Sequence, residues 1–425
     1  MKKKNTVKVL FALCIAITLF SCKTTTTSTN TTTLNDNEAI KKPYVILISL
    51  DGFRWDYVER FQPPHLSNFI KNGVQATSLI PSFPTKTFPN HYTLATGMYP
   101  DKHGLVGNTF YSHKKDVVYN IRTREIVEDG TFYQGTPIWV LADNHHMVSA
   151  SYFFVGSEAD VQGKRPTYYH RYDGAVKNEA RVKEALHWLD LPEEKRPHII
   201  TMYFSDMDDT GHQLGPNDDE ALKKTLFQLD KNLGDLFDGV KATGLPVNII
   251  VVSDHGMANV TKGHFLSTDA LRNEELYKII DNGALLNVFP KDPALTNTIL
   301  VGLQEKENHF KVYLTPETPG LEYEPRNKDW GAIQIIPDEG YYFSSDNGIT
   351  HRNNAPNNSF GVHGYTPENK DMHGIFYANG PAFKTAYTTN DIKNIHVYPL
   401  ICKILELTPP SDIDGQLAPI QDVLQ

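Results

Sequence analysis

A chain of 425 residues with 40% hydrophobic and 11% aromatic content can bury a large core, which excludes a disordered or fibrous protein. Its formal net charge of -9 excludes a generally basic surface. A nucleic acid polymer is therefore not an expected partner, and any anion has to be held locally by metals or oriented backbone amides.

In chain order, Lys2-Lys3-Lys4 and the apolar run from Val9 to Phe20 predict an export signal, too short to span a membrane comfortably. Leu19-Phe20-Ser21-Cys22 resembles a bacterial lipobox. Residues 1–22 are thus predicted as a lipoprotein signal, with a lipid on Cys22 anchoring the chain to the membrane in the periplasm or at the cell surface. Residues 23–42 are rich in Thr, Ser and Asn and predict a disordered tether. With Cys14 lost and Cys22 lipidated, Cys402 has no partner and is predicted as an inert core residue.

Tyr44–Leu50, residues 198–204 and Val247–Val252 are short apolar runs rich in β-branched residues, as expected of central strands covered on both faces. Amphipathic stretches at 179–189 and Asp219–Thr243 predict helices between and beside them. This alternation predicts an α/β fold with a mostly parallel sheet and helices on both faces. Residues 284–345 have a different texture, with strands expected at 285–289, 310–314 and 332–336 and a helix at 294–307. They predict a small α+β cap insertion. The catalytic α/β domain then comprises residues 43–283 and 346–425 and closes with a helix around 392–407. Oligomeric state stays open.

The acid- and histidine-bearing motifs are Asp51-Gly52, Asp208-x-x-x-His212, Asp254-His255-Gly256 and His363-Gly364. The first three lie just beyond the carboxyl ends of predicted strands, where functional residues of parallel sheets gather. Taken singly, each has a bland reading as a cap, a turn or a loop residue. Together they place three Asp and three His where burial is costly unless a cation offsets it. Imidazole mixed with carboxylate favours zinc over magnesium or calcium, and two such ions suit phosphoryl transfer. The segment from Phe88 to Gly97 reads as a helix with Pro89 in its first turn and Gly97 at its close. Thr87 then sits at the positive end, where an anion is received; a threonine N-cap is compatible with that role.

Pro84-Thr85-Lys86-Thr87-Phe88-Pro89-Asn90-His91-Tyr92, continued by Gly97-Met98-Tyr99-Pro100-Asp101-Lys102-His103-Gly104-Leu105-Val106-Gly107-Asn108, resembles the nucleotide pyrophosphatase/phosphodiesterase family of the alkaline phosphatase superfamily. Asp51-Gly52-Phe53-Arg54, Asp208 to His212 with Gly215-Pro216, Ser253-Asp254-His255-Gly256-Met257, Gly361-Val362-His363-Gly364-Tyr365 and Asp371-Met372-His373 match its motifs in order. The resemblance implies an alkaline-phosphatase-like fold and two Zn²⁺. Asp208, His212 and His363 would hold one ion, and Asp51, Thr87, Asp254 and His255 the other. It implies Thr87 as the nucleophile of a covalent threonyl intermediate, Asn108 as a contact to a phosphoryl oxygen, and Phe88 and Tyr203 as a clamp on the base of a small nucleotide substrate.

Two departures bear on the pocket wall: Ser205-Asp206-Met207 stands where relatives often carry acidic residues and proline, and Phe154-Val155 where they often carry Trp-Pro. Alternatives are a lysophospholipid or choline-phosphoester phosphodiesterase, and a surface lipoprotein that binds nucleotide or metal without turnover. His145-His146 reads as a solvated face, His91, His103 and His373 as supporting or structural, and Lys86 as a cover over the helix entrance.

Overall fold

The computed structural model describes residues 33–425, which form one compact unit; the predicted signal, Cys22 and the first part of the tether lie outside the described residues. The tether does not extend to residue 42 as expected. Asn35 is buried, its amide donates to the carbonyls of Glu193 and Arg196 at 2.7 Å, and its Oδ1 accepts the Val148 N–H. Composition misled here, because one polar side chain filling three backbone hydrogen-bonding sites orders a segment that has little apolar surface. Among the described residues, no helix is long and apolar enough to cross a membrane.

The main sheet runs in the order Tyr387–Thr389, Val74–Ala76, Phe376–Asn379, Val247–Val252, Tyr44–Leu50, Ile199–Phe204, Ser149–Tyr152 and Tyr168–His170. All neighbours are parallel except Phe376–Asn379, which is antiparallel to both of its partners. Every residue of Tyr44–Leu50 is buried, because the strand is central and both faces are covered. Val45 and Leu47 pack with Tyr92, Trp139 and Tyr398 on one side. Ile46, Ile48 and Leu50 pack with Trp188, Leu226, Leu229 and Leu233 on the other. The alternation follows from the two-residue period of a strand. Cys402 is fully buried in the first of these layers, and burial pushes its thiol up to about 12.

The four-stranded antiparallel sheet of the cap is ordered Tyr277–Asp281, Leu286–Pro290, Ile333–Pro337 and Phe310–Leu314, and it packs the helix Thr296–Gln304 over its own apolar cluster. Its first strand thus precedes the expected start at 284, since Asn282-Gly283 is the turn that folds it back on the second. Asp101 Oδ1 ties this cap to the body by accepting the N–H groups of Arg326 and Asn327 and the Trp330 indole N–H at 2.8–2.9 Å. The closing helix is shorter than expected, Val397–Ile404, because Ile392–Lys393 pairs as a strand with Leu79–Ile80.

Buried Asp230 on the long helix Asp219–Thr243 accepts the His65 and Leu66 N–H groups at 2.9 and 2.7 Å, capping the helix Pro64–Lys71 from outside. Asp230→Ala strands both donors and should cost about 1–3 kcal/mol in chemical denaturation. An unchanged midpoint would contradict this account of the layer.

Candidate active site

The strand exits bring the predicted acids to one place. Asp51 follows Tyr44–Leu50, Asp208 lies in the helix Asp206–Leu214 after Ile199–Phe204, and Asp254-His255 follows Val247–Val252. Gly52 makes their convergence possible. It holds φ 64°, and a Cβ there would lie 2.8 Å from the Asp208 Cα, so only glycine lets the Asp51 and Asp208 segments meet. Gly364, with φ 117°, performs the same service for Lys86, whose Cε would lie 2.4 Å from an added Cβ.

Three histidines are presented in one tautomer. Nδ1 of His212 lies 2.8 Å from the Gly361 carbonyl, Nδ1 of His255 2.8 Å from the Gly256 carbonyl, and Nδ1 of His363 2.8 Å from the Thr85 carbonyl. A carbonyl only accepts, so Nδ1 carries the hydrogen in each case and Nε2 is left as a lone pair. His212 Nε2 is 3.3 Å from Asp208 Oδ1, and His255 Nε2 is 3.4 Å from Asp51 Oδ1, 3.0 Å from Asp254 Oδ2 and 3.4 Å from Thr87 Oγ1. Those same three carboxylate oxygens, Asp51 Oδ1, Asp208 Oδ1 and Asp254 Oδ2, are buried without a hydrogen-bond partner. Buried lone pairs that converge in this way, with only the His91 Nδ1–H set 3.3 Å from one of them, Asp254 Oδ2, are the donor set of a cation site.

Asp208, His212 and His363 offer ligand atoms within 4.8 Å of one another, and so do Asp51, Asp208 and His255. Asp208 therefore stands near both groups, a position that a strict division into two ligand sets does not convey. Asp254 joins the second group through its contact with His255.

Electrostatics agree with this reading. Burial, followed by the charges of Asp254 and Asp208, pushes Asp51 well above the usual carboxylate range, and burial raises Asp208 as well. Burial also works against Asp254, but His255 and His91 beside it outweigh that effect and hold it at about 2. Burial lowers His255 and, with the help of His255, Lys86 and His212, pushes His363 well down, which favours the neutral form of both imidazoles. Neutral imidazole beside crowded carboxylates is the state a metal ion takes up.

Thr87 is the first residue of the helix Thr87–Thr96, with Lys86 rather than Thr87 as the N-cap and Gly97 left-handed at the far end. Pro89 has no N–H, the Phe88 N–H donates to Asn108 Oδ1 at 3.0 Å, and the Asn90 N–H closes on the Lys86 carbonyl. Among the described residues, the Thr87 N–H alone stays uncommitted in that turn. With its Oδ1 occupied, Asn108 keeps its Nδ2 as a free donor.

Thr87, Phe88, Asn108, Asp51, Asp208, His212 and His363 line one cleft of about 320 Å³ together with Ile121, Arg122, Phe153, Tyr172 and Tyr203. Tyr203 is not placed as the expected clamp. It is 9% exposed and its hydroxyl donates to Asp51 Oδ2 at 2.6 Å, so it forms the floor and orients a carboxylate. Tyr172, 42% exposed in the same cleft and edge-on to Tyr203 and Phe153, presents the free aromatic surface instead. Sequence reasoning missed it because Arg171-Tyr172-Asp173 is a polar loop with no periodic signal; the one local mark is Phe153, a non-glycine residue at φ 68° on the same wall.

The histidines expected to be supporting or solvated sit as follows. His91 bridges Ser49, the Thr87 carbonyl and Asp254, while His103 and His373 are locked to buried backbone and hydroxyl groups. His145 and His146 are exposed.

Residues 45–366 match the family described as type I phosphodiesterase / nucleotide pyrophosphatase. Human bis(5′-adenosyl)-triphosphatase ENPP4 is 31% identical over 385 residues, 88% of this chain and 81% of that protein. Venom phosphodiesterase CdcPDE of Crotalus durissus collilineatus is 32% identical over 393 residues, 87% of this chain and 45% of that one, so the chain spans under half the length of this relative. Among solved structures, murine ectonucleotide pyrophosphatase / phosphodiesterase 5 superposes with a TM-score of 0.82 at 30% identity, covering 90% of this chain and 100% of that one. An inactive variant of that murine protein in complex with AMP superposes equally well.

If the orphaned carboxylates await cations, chelation should lower the melting temperature and a divalent metal should restore it. Metal at one hundred times its Kd would add about 2.7 kcal/mol. A melting curve indifferent to chelator would overturn the cation reading.

Proposed function

Because the chain belongs to the type I phosphodiesterase / nucleotide pyrophosphatase family, we propose that it hydrolyses nucleotide phosphodiester and pyrophosphate bonds and releases nucleoside 5′-monophosphates. The observation that carries this reading is the convergence of three Nε2 lone pairs and three unpartnered carboxylate oxygens on the region of the Thr87 hydroxyl. The AMP held by the murine relative supports a nucleotide as the ligand class.

Two zinc ions fit this mixed imidazole and carboxylate donor set. His212 and His363 with Asp208 would hold one, and Asp51, Asp254, His255 and Thr87 the other. When bound, such ions polarise the phosphoryl group and lower the pKa of oxygen nucleophiles. The chain's own residues do the rest. Thr87 Oγ1 forms a bond to phosphorus in line while the bond from phosphorus to the leaving oxygen breaks, and the hydroxyl proton passes through solvent to that oxygen. Water then cleaves the threonyl phosphoester, freeing the monophosphate and restoring the hydroxyl.

Asn108 Nδ2 and the Thr87 N–H donate to a non-bridging oxygen, and these neutral donors suit a diester better than a monoester dianion. Phe88 and Tyr172 supply the aromatic faces for the base, a contact that is sequence-tolerant and contributes about 1–3 kcal/mol. Export and a lipid on Cys22 would place this activity at a membrane surface.

Thr87→Ala should abolish turnover and leave AMP binding within a few-fold of wild type by calorimetry; wild-type hydrolysis by the variant sinks the mechanism. Product analysis across ATP, a dinucleoside polyphosphate, a lysophospholipid and a phosphate monoester should yield a nucleoside monophosphate from the first two. Cleavage of the lysophospholipid alone would overturn the substrate reading. Cys22→Ser should shift the protein from the membrane to the soluble fraction, and continued membrane retention would count against the anchor.

A further inference from the structure

Asn108 is held by more than the helix that its side chain touches. The residue after it, Thr109, has both backbone groups taken by one side chain: its N–H donates to Asn282 Oδ1 at 3.1 Å, and Asn282 Nδ2 donates to its carbonyl at 2.8 Å. Only an amide side chain offers a donor and an acceptor side by side, so Asn282 pairs with Thr109 as a neighbouring strand would. Asn282 is buried and occupies the turn between the first two strands of the cap. On the other side of Asn108, a Cβ on Gly107 would lie 3.1 Å from Asn282 Nδ2, so glycine there lets the amide approach.

The contact continues. The Asn282 carbonyl accepts the Tyr342 hydroxyl at 3.4 Å, and that hydroxyl accepts from Lys86 Nζ at 2.9 Å. Lys86 Nζ also donates to the His363 carbonyl at 2.6 Å. Lys86 is the N-cap of the Thr87 helix, and the Phe88 N–H returns to Asn108 Oδ1. The result is a closed ring of hydrogen bonds from the nucleophile's helix through the cap to Asn108 and back. Lys86, expected only to cover the helix entrance, is a buried strut of this ring.

We propose that Asn282 is a positioning residue for hydrolysis, by which the cap fixes the Asn108 amide relative to Thr87. The inference rests on the phosphoryl-binding reading of Asn108 given above. Asn282 is not among the residues that line the cleft. It acts by removing the freedom of the Gly107-Asn108-Thr109 segment, and a displacement of about 1 Å in such a donor lowers turnover by up to about 100-fold.

Asn282→Ala should lower kcat for a nucleotide diester by about 10- to 100-fold, with KM and metal content near wild type. Hydrogen exchange should rise in the peptide containing residues 107–110 and stay unchanged in the strand Tyr44–Leu50. In the Asn108→Ala background the Asn282→Ala change should add no further loss, whereas a general weakening of the fold would multiply the two losses. Tyr342→Phe, a milder change that breaks the ring elsewhere, should lower kcat several-fold and decides the matter if Asn282→Ala folds poorly. Unchanged kcat and exchange, or multiplicative losses, overturn the inference. A wild-type protein inactive on all diesters would instead overturn the functional reading, and the exchange measurement would still decide whether Asn282 holds the segment.

Discussion

Three carboxylates, Asp51, Asp208 and Asp254, are brought within one small volume at the carboxyl edge of a parallel sheet, the first and last fully buried and Asp208 partly so. Removing an ion from water costs several kcal/mol even after relaxation, and like charges add to that cost. The surrounding architecture serves to hold this arrangement. The strands that deliver the acids are buried on both faces, Gly52 removes the Cβ that would keep two of them apart, and three backbone carbonyls set the tautomer of the facing histidines. In the proposed mechanism stability and chemistry are linked at this edge, because cations that offset the burial would also activate the substrate.

The proposed nucleophile belongs to a different layer. Thr87 begins a helix packed against one face of the sheet, and its helix is joined to the loop that carries His363 by the Thr85–His363, Thr85–Gly364 and Lys86–His363 hydrogen bonds. The cap adds a third support through Asn282 and Tyr342. A cap that only covered the cleft would not need bonds to the backbone beside Asn108. Its antiparallel sheet has its own core, which gives the strut a firm base.

The cleft separates polar from apolar surface. Its floor consists of charged and polar groups, with Tyr203 bonded to Asp51, while its walls carry Phe88, Ile121, Phe153, Val155 and Tyr172. Val155 belongs to the Phe154-Val155 pair that the sequence resemblance singles out, and Phe154 itself is fully buried. This pair therefore shapes the cleft wall through Val155 and leaves the donor set untouched. The alkaline-phosphatase-like α/β fold shared with murine ectonucleotide pyrophosphatase / phosphodiesterase 5 holds both parts in register.

Much of this was legible in the residues. Apolar runs such as Tyr44–Leu50 and Val247–Val252 specify buried strands, since a continuous β-branched stretch of that length has no other low-energy use, and the acids directly after them fall at the sheet edge by chain continuity alone. Likewise, the long amphipathic pattern of Asp219–Thr243 marks its helix from end to end. Less was legible wherever the deciding contact joins residues far apart in the chain. Asn35 reads as tether and packs as an anchor, Tyr203 reads as a clamp and serves Asp51, Tyr172 sits in a polar loop, and Asn282 meets Thr109 across 173 positions. Local composition and spacing determined the strands, the helix and the kinds of ligand the chain would offer. Which lone pairs face one another, which aromatic ring stays open to solvent and which amide holds another in place were decided only by tertiary packing, because hydrogen bonds and burial depend on distance in space and carry no periodic trace along the chain.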